Sequence, residues 1–380
     1  MKTVEKEKTT CVSVELGLVV PDKDSVLLDQ TLQAFNAAAT YVSSRAFTAG
    51  ATNAMAIQRL FYSDLRERFG LSAQHACLCC KEVAAKFAAK TGKPTVFRPL
   101  SSIPFDVRTF TLSKDLDSVT LTTLKGRVRL TLRVGARQRE QMASAGKIGE
   151  ARLVRSGAGS FALRLSCFMR VLPETNPTDW LGVDIGIVNL AADSEGHRYS
   201  GAKVECVRTE HVKTRSRLQK AASEKAKKGQ RPKNIKRKLK TRSGKESRFM
   251  KDVNHRISKD LVAGAQGTGR GIALEDLQGI RGRNRLGKQT HTRVNRWAFA
   301  QLRSFVVYKA LLAGVAVVFV DPRNTSRECS ECAYTDKRNR KTQAEFRCLA
   351  CGFTTHADLN APCVIRKRAA VSRPIVSRPA

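Results

Sequence analysis

Three acidic residues and four cysteines are the groups in this 380-residue sequence whose types and spacing could do chemistry. Asp184 sits inside Gly182-Val183-Asp184-Ile185-Gly186-Ile187, a run that reads as a buried strand. An unpaired carboxylate is costly to desolvate in such a place unless a cation compensates it. Glu275 closes a second strand-like run, Gly271-Ile272-Ala273-Leu274, and Asp358 lies in His356-Ala357-Asp358-Leu359-Asn360. Three carboxylates converging from distant parts of one chain can hold a pair of Mg²⁺ ions, and such a pair supports in-line phosphodiester hydrolysis. Each acid alone is a weak signal, and Asp276 beside Glu275 reads as a wetter neighbour.

The cysteines form the stronger local pattern: Cys329-x2-Cys332, fifteen residues, then Cys348-x2-Cys351. Two thiolate pairs on tight knuckles can complete one tetrahedral Zn²⁺ shell. All four positions are cysteine, so no coordination site stays open and the ion is expected to be structural. A freestanding redox pair would not need the second C-x-x-C. Cys77, Cys79 and Cys80 have a C-x-C-C spacing outside the common zinc patterns and read as packing residues.

The rest of the chain must position these groups. Formal net charge is +36 and the pI near 10.4, which points to a polyanionic partner, nucleic acid above all. No apolar run is long enough to span a bilayer, and Met1–Lys8 lacks the apolar core of a signal peptide, so an intracellular protein with reduced cysteines is expected. Residues 9–20 read as a strand. Leu28, Leu32, Phe35, Ala39, Val42 and Ala46 then mark one face of a helix, and further helices are expected at 53–69 and 72–90. Alternation returns at Val128, Leu130, Leu132 and Val134, opposite Arg127, Arg129 and Arg133, and again from Phe161 to Val171. A small antiparallel β-barrel interrupted by a helical insertion fits this order.

Pro173 to Pro177 marks a boundary, and 181–190 opens an α/β region. From Lys213 to Arg256 there are 18 Lys and Arg against three acids, so +15 of the +36 is concentrated in one stretch. Breaks at Gly229–Pro232 and Ser243-Gly244 suggest two helices joined by a basic loop, with disorder as the alternative. If this surface neutralised about 8 phosphates, the log–log salt slope of binding would be roughly −7. A helix is expected from about Thr292 to Ala313, with Trp297 packing near its start, then a strand from Val315 to Val320.

The strand around Asp184, Leu274-Glu275-Asp276-Leu277, Asn324-Thr325-Ser326-Arg327-x-Cys329-Ser330-x-Cys332 and His356-Ala357-Asp358-Leu359-Asn360-Ala361 together resemble the split RuvC nuclease domain with an inserted zinc ribbon. That arrangement marks transposon-encoded TnpB proteins and their descendants, the compact type V CRISPR effectors. The resemblance covers about residues 181–366 by motif and the first 172 by layout. It implies an α+β multidomain chain: a wedge-like β-barrel at 1–21 and 94–172, a helical recognition insertion at 22–93, an RNase H-like (RuvC) α/β domain at 178–321 and 356–368, a zinc ribbon at 322–355 and a disordered tail at 369–380.

It further implies an RNA-guided, Mg²⁺-dependent DNA endonuclease that recognises a short motif beside its target and cuts at a single site. Asp184, Glu275 and Asp358 would be the catalytic acids holding two Mg²⁺ ions, Cys329, Cys332, Cys348 and Cys351 would hold one Zn²⁺, and Arg327 and Asn360 would support the site. Guide RNA and double-stranded target DNA would be the partners, with no membrane and no small-molecule substrate, in a prokaryotic cytoplasm at the nucleoid. Lys213, Arg215, Arg217, Lys233, Lys236, Arg237, Lys238, Lys240, Arg127 and Arg129 are the expected nucleic-acid contacts. A nuclease-inactive guided repressor and an RNA-independent resolvase or transposase are the alternatives. Three positions depart from the pattern: Ala357 stands where many TnpB proteins carry Arg, Ala333 where the first knuckle usually has Gly, and Pro362 follows Asn360-Ala361. Proline suits only a helix's first turn, so the helix after Asp358 is expected to start late or bend.

Overall fold

The computed structural model describes residues 9–89, 93–156, 159–276 and 299–371, and the chain divides into two compact units, Met1–Arg170 and Val171–Ala380. In the first unit, β1 (Thr9–Val19) leads into α1 (Asp22–Thr48), α2 (Ala54–Glu67) and α3 (Ala73–Ala88). The apolar face predicted from Leu28 to Ala46 is the buried face of α1. Asn53 and Ser72 start the next two helices, their side-chain oxygens accepting from the amides of Ala56 and His75.

The chain then forms β2 (Ile103–Phe105), β3 (Phe110–Leu112), β4 (Ser118–Thr123), β5 (Gly126–Arg133), α4 (Ala136–Ala143), β6 (Ala145–Arg155) and β7 (Phe161–Arg170). These strands make one antiparallel sheet in the order β2-β6-β7-β1-β5-β4-β3. Its two edge strands are consecutive in the chain and joined by the turn Asp106–Thr109, where the Thr109 hydroxyl and the Asp106 amide and carbonyl bond each other. The sheet therefore curls to a nearly closed barrel whose ends meet through a covalent turn, without a closing ladder.

The second unit opens with β8 (Trp180–Asp184), β9 (Asn189–Asp193) and β10 (Arg198–Ser200), followed by α5 (Ala202–Lys227), α6 (Lys233–Arg242) and α7 (Lys245–Gly267). The basic stretch is thus three helices where two were expected, because Ile235 and Leu239, one turn apart, give the piece between the two breaks an apolar side. Next come β11 (Gly271–Glu275), α8 (Phe299–Ala313) and β12 (Val317–Val320). Leu277, Trp297 and the expected start of α8 lie outside the described residues, as do Met1–Lys8 and the tail from Ser372. A short 3₁₀ turn (Lys337–Asn339), β13 (Glu345–Arg347), β14 (Thr354–His356) and α9 (Ala357–Val371) complete the chain.

The five-stranded sheet has the order β10-β9-β8-β11-β12, with β8, β11 and β12 parallel. Strand alternation divides its residues between two covers. Leu181, Val183, Ile272 and Leu274 face the core made with α7 and α8, whereas Trp180, Ala273, Val318 and Val320 face Ile365 and Ala369 of α9. Gly182 lies on the α9 side, where a Cβ would come 2.0 Å from the Pro362 carbonyl oxygen and 2.7 Å from the Arg366 amide.

Only a residue without a side chain lets the backbones of β8 and α9 approach this closely. Gly182→Ala is expected to lower stability by about 3 kcal/mol, at the upper end for overpacking, because its obstacle is backbone. A melting temperature within a degree of wild type would show that α9 yields easily.

Two expectations for α9 need correction. The helix begins at Ala357, before Asp358, and runs through Pro362 to Val371, three residues past the expected end at 368. Proline removes one helical hydrogen bond and crowds the carbonyl four residues back, but Ala361, Pro362, Val364 and Ile365 are buried, and that packing holds the helix together.

Candidate active site and metal centre

Register builds the acidic site. In the parallel pair β8/β11, Leu274 stands beside Val183, so the next step places Glu275 beside Asp184 at the carboxyl ends of both strands. Asp184 shares a strand face with Gly182, and Glu275 with Ala273, so both carboxylates lie on the side covered by α9. Asp358 is in the first turn of α9. Three acids separated by 91 and 83 positions in sequence thus meet at one sheet edge, through strand neighbourhood for two and helix docking for the third.

Their electrostatics reflect this crowding. Burial, then the nearby Asp358 charge, push Asp184 up from 3.8 to about 6, with Arg340 opposing. Burial, then Asp184, push Glu275 up from 4.5 to about 7, opposed by the Thr325 hydroxyl and by Arg368. Asp358 is buried, its Oδ2 accepting from Asn189 Nδ2 at 2.8 Å and its Oδ1 lying 3.4 Å from Arg340 Nη2. Asp276 is instead half-exposed and paired with Arg303, in keeping with a peripheral acid.

The four cysteines come together. The Sγ atoms of Cys329 and Cys351 are 3.7 Å apart, and those of Cys332 and Cys348 are 3.5 Å apart. Such separations match the edge of a tetrahedron with metal–sulfur bonds of about 2.3 Å and far exceed a disulfide. Among the described residues, this is the one set of three or more His, Cys, Asp or Glu whose ligand atoms all lie within 4.8 Å of one another. The three carboxylates form a wider group. Burial opposes ionisation of Cys348, but the amides of Cys351 and Ala350 donate to it, leaving its thiol lowered to about 7. Each knuckle turns through a left-handed residue, Gly352 (φ 77) in the second and Ala333 (φ 60) in the first, where glycine would sit without strain.

Asn360, predicted as a supporting residue, is buried and ties the first knuckle to α9: its Oδ1 accepts the Ser330 amide and its Nδ2 donates to the Glu328 carbonyl. Arg327 is exposed, and its backbone carbonyl accepts from Asn339. The predicted cations Lys213, Arg215, Arg217, Lys233, Lys236, Arg237, Lys238 and Lys240 are all exposed on α5 and α6. Arg127 and Arg129 belong to the other unit, on the exposed face of β5, where they bond the Arg108 carbonyl and the Ser118 hydroxyl.

Sequence reasoning missed four residues. Thr325 donates to Glu275, Asn189 and Arg340 hold Asp358, and Asn339 spans both knuckles by bonding the carbonyls of Arg327 and Tyr334 and the Leu349 amide. Asn189 could have been suspected, since a polar residue five positions after Asp184 begins the next strand. Arg340 had no signal among so many cations.

Comparisons with known proteins bear on the same segments. Residues 164–278 match a family model described as a probable transposase, and residues 299–365 match one described as Cas12f1-like, TNB domain. A CRISPR-associated endodeoxyribonuclease Cas12f1 of Sulfoacidibacillus thermotolerans is 40% identical over 118 residues, 31% of this chain and 26% of that protein. A TnpB-like protein of Methanocaldococcus jannaschii is 29% identical over 201 residues, 50% of this chain and 69% of that protein. The chain thus spans about a quarter of the Cas12f1 relative's length. In fold, it resembles Cas12f1 solved with sgRNA and target DNA, with a TM-score of 0.59 at 17% identity over 92% of this chain and 83% of that one. It also resembles CasPhi-2 (Cas12j) bound to crRNA, at 0.57 and 13% identity over 98% and 100%.

Proposed function

We propose that this chain, which belongs with the TnpB-like and Cas12f proteins, is an RNA-guided DNA endonuclease hydrolysing phosphodiester bonds at one site made by Asp184, Glu275 and Asp358. The observation that carries this reading is the register that sets Asp184 beside Glu275, under the helix that bears Asp358. Carboxylates whose ionisation is opposed by burial and by one another are suited to hold divalent cations. Mg²⁺ bound there would supply Lewis-acid stabilisation of the scissile phosphate and lower the pKa of the attacking water. The protein's own part is to aim the acids. Asn189 and Arg340 fix the two oxygens of Asp358, and Thr325 fixes one of Glu275.

The tetrahedral thiolate set suits one structural Zn²⁺. Guide RNA and double-stranded target DNA are the partners in this reading. The first unit would hold RNA and read a short duplex motif through its barrel (1–21, 94–172) and helical insertion (22–93). The nuclease segments (178–321, 356–368) and ribbon (322–355) would cut. Pairing between guide and target would carry the sequence information, and the protein would grip backbone by charge and shape. Among the described residues, no helix is long and apolar enough to cross a membrane.

The test is purification of the chain with the RNA it retains, then incubation with a plasmid carrying a sequence matched to that RNA. Cleavage that requires Mg²⁺, matching sequence and intact RNA is the expected result. Cleavage that survives ribonuclease treatment would replace this reading with an RNA-independent nuclease, and guided binding without cutting would replace it with a repressor. Arg340→Ala is expected to slow cleavage about 10²-fold, the scale of losing one positioned donor, with target binding retained. An unchanged rate would remove the guanidinium from the site.

A further inference from the structure

Near the acidic site lies a groove of about 500 Å³ whose lining, Lys213 apart, has no role above. Ile187 and Val188, in the loop after Asp184, form one wall, and Ala202, Cys206, Glu210 and Lys213 form the other. The four α5 residues recur at intervals of four, four and three, so they occupy a single helical face. Gly201 brings the two walls together. Its amide donates to the Val188 carbonyl at 2.8 Å, and a Cβ there would come 2.8 Å from the carbonyl oxygens of both Ile187 and Val188. Val188 is followed directly by Asn189, which grips Asp358, so the loop wall connects the groove to one of the acids.

We infer that this groove is a nucleobase subsite, which takes a single-stranded DNA segment next to the bond being cut. The inference rests on the nuclease reading above. The near end is apolar, with Val188 49% exposed, and offers a surface for the flat face of a base. Ser200, Thr209 and Glu210 supply hydroxyl and carboxylate oxygens, which accept from the exocyclic amino groups and ring N–H of bases.

Glu210, with Glu205 paired to Arg208 behind it, leaves the groove lining without excess positive charge, so it has little to offer a phosphate. The one cation among the lining residues is Lys213, at the far end, and beyond it α5 continues with exposed Arg215, Arg217 and Lys220. Base inward and phosphate outward is the orientation this charge order selects. A paired duplex presents no free base face to such a groove, so its occupant is a separated strand. A pocket of this volume holds a small ligand, here about one or two nucleotides.

Cys206, exposed on the groove wall, reports occupancy directly. In the full-length Asp184→Asn protein, with its retained RNA and Mg²⁺, Cys206 alkylation is followed with and without a short single-stranded DNA oligonucleotide, and exposed Cys11 serves as internal reference. Binding of the oligonucleotide is followed by fluorescence anisotropy. The expected result is that bound DNA slows alkylation of Cys206 about 5-fold or more, the scale of one stacked base, and leaves Cys11 unchanged. Equal reactivity with the DNA bound, or no measurable binding, overturns the subsite.

In a second arm, Cys206→Trp fills the groove. This variant is expected to raise the KM for single-stranded DNA cleavage about 10-fold; a KM equal to that of the wild type overturns the proposal. The nuclease reading fails differently, by cleavage persisting in Asp184→Asn, an outcome that leaves the footprint readable.

Discussion

An Asp184→Asn protein is expected to lose target cleavage by at least about 10³-fold and, without divalent cations, to melt at a higher temperature than the wild type. Both effects have one cause. Asp184 and Glu275 are side by side at the ends of adjacent parallel strands, with Asp358 close by, and all three are at least partly buried. Divalent cations bound there would turn that repulsion into binding energy; without them it is a cost to the fold.

The sign follows from the raised values. Folding keeps a proton on Asp184 up to about 6 and on Glu275 up to about 7, against 3.8 and 4.5 as the ordinary values. The folded state therefore binds more protons than the unfolded one across that window, and stability falls as pH rises through it. Asparagine keeps the shape and removes one charge, which contributes on the order of 2 kcal/mol at pH 8, or roughly 4–8 °C for a unit of this size. Melting curves in chelator at pH 8 and pH 5 provide the check: the gap between the proteins should be widest at pH 8 and roughly half as large at pH 5, since it closes only near 3.8. A variant that melts like the wild type at both pH values, or that still cuts at the native rate, would dismantle the site.

Removing the metal from the cysteine cluster, by chelation or by Cys348→Ser, is expected to reduce cleavage about 10²-fold although every carboxylate remains. The ribbon is small, and its core is little more than Phe346, Phe353, Ala357 and two of the cysteines. Structural Zn²⁺ in such modules contributes about 10–16 kcal/mol of apparent binding free energy that is also folding free energy. Without the ion, the knuckles have no other centre. Three groups near the acids depend on them: Thr325 on Glu275, Arg340 on Asp358, and Asn360, which ties α9 to the first knuckle.

Metal analysis should find one ion per chain lost, and hydrogen exchange should show the amides of Cys348 and Gly352 unprotected while β8 and β11 stay closed. A metal-free protein that retains protection and cleaves at the native rate would make the ribbon independent of the site.

Much of this was legible in sequence because it is local. The apolar stripe from Leu28 to Ala46 is a helix face wherever that helix lies, and the C-x-x-C pairs form knuckles whatever surrounds them. The basic stretch stayed exposed because so many like charges cannot be buried together. Even so, local signal misjudged α6, where two apolar residues suffice, and the start of α9, where burial outweighs the objection to Pro362.

Arg340 and Thr325 could not be read, since each acts through a partner 18 or 50 positions away. Gly182 looked like an ordinary flank of a strand; only docking of α9 shows why no side chain is tolerated there. By itself, then, the chain determined which residues could ionise, ligate or turn, because those are properties of residue type and short spacing. Parallel strand register and the seating of one helix decided that three of its acids share a site, because proximity between distant segments comes only from packing.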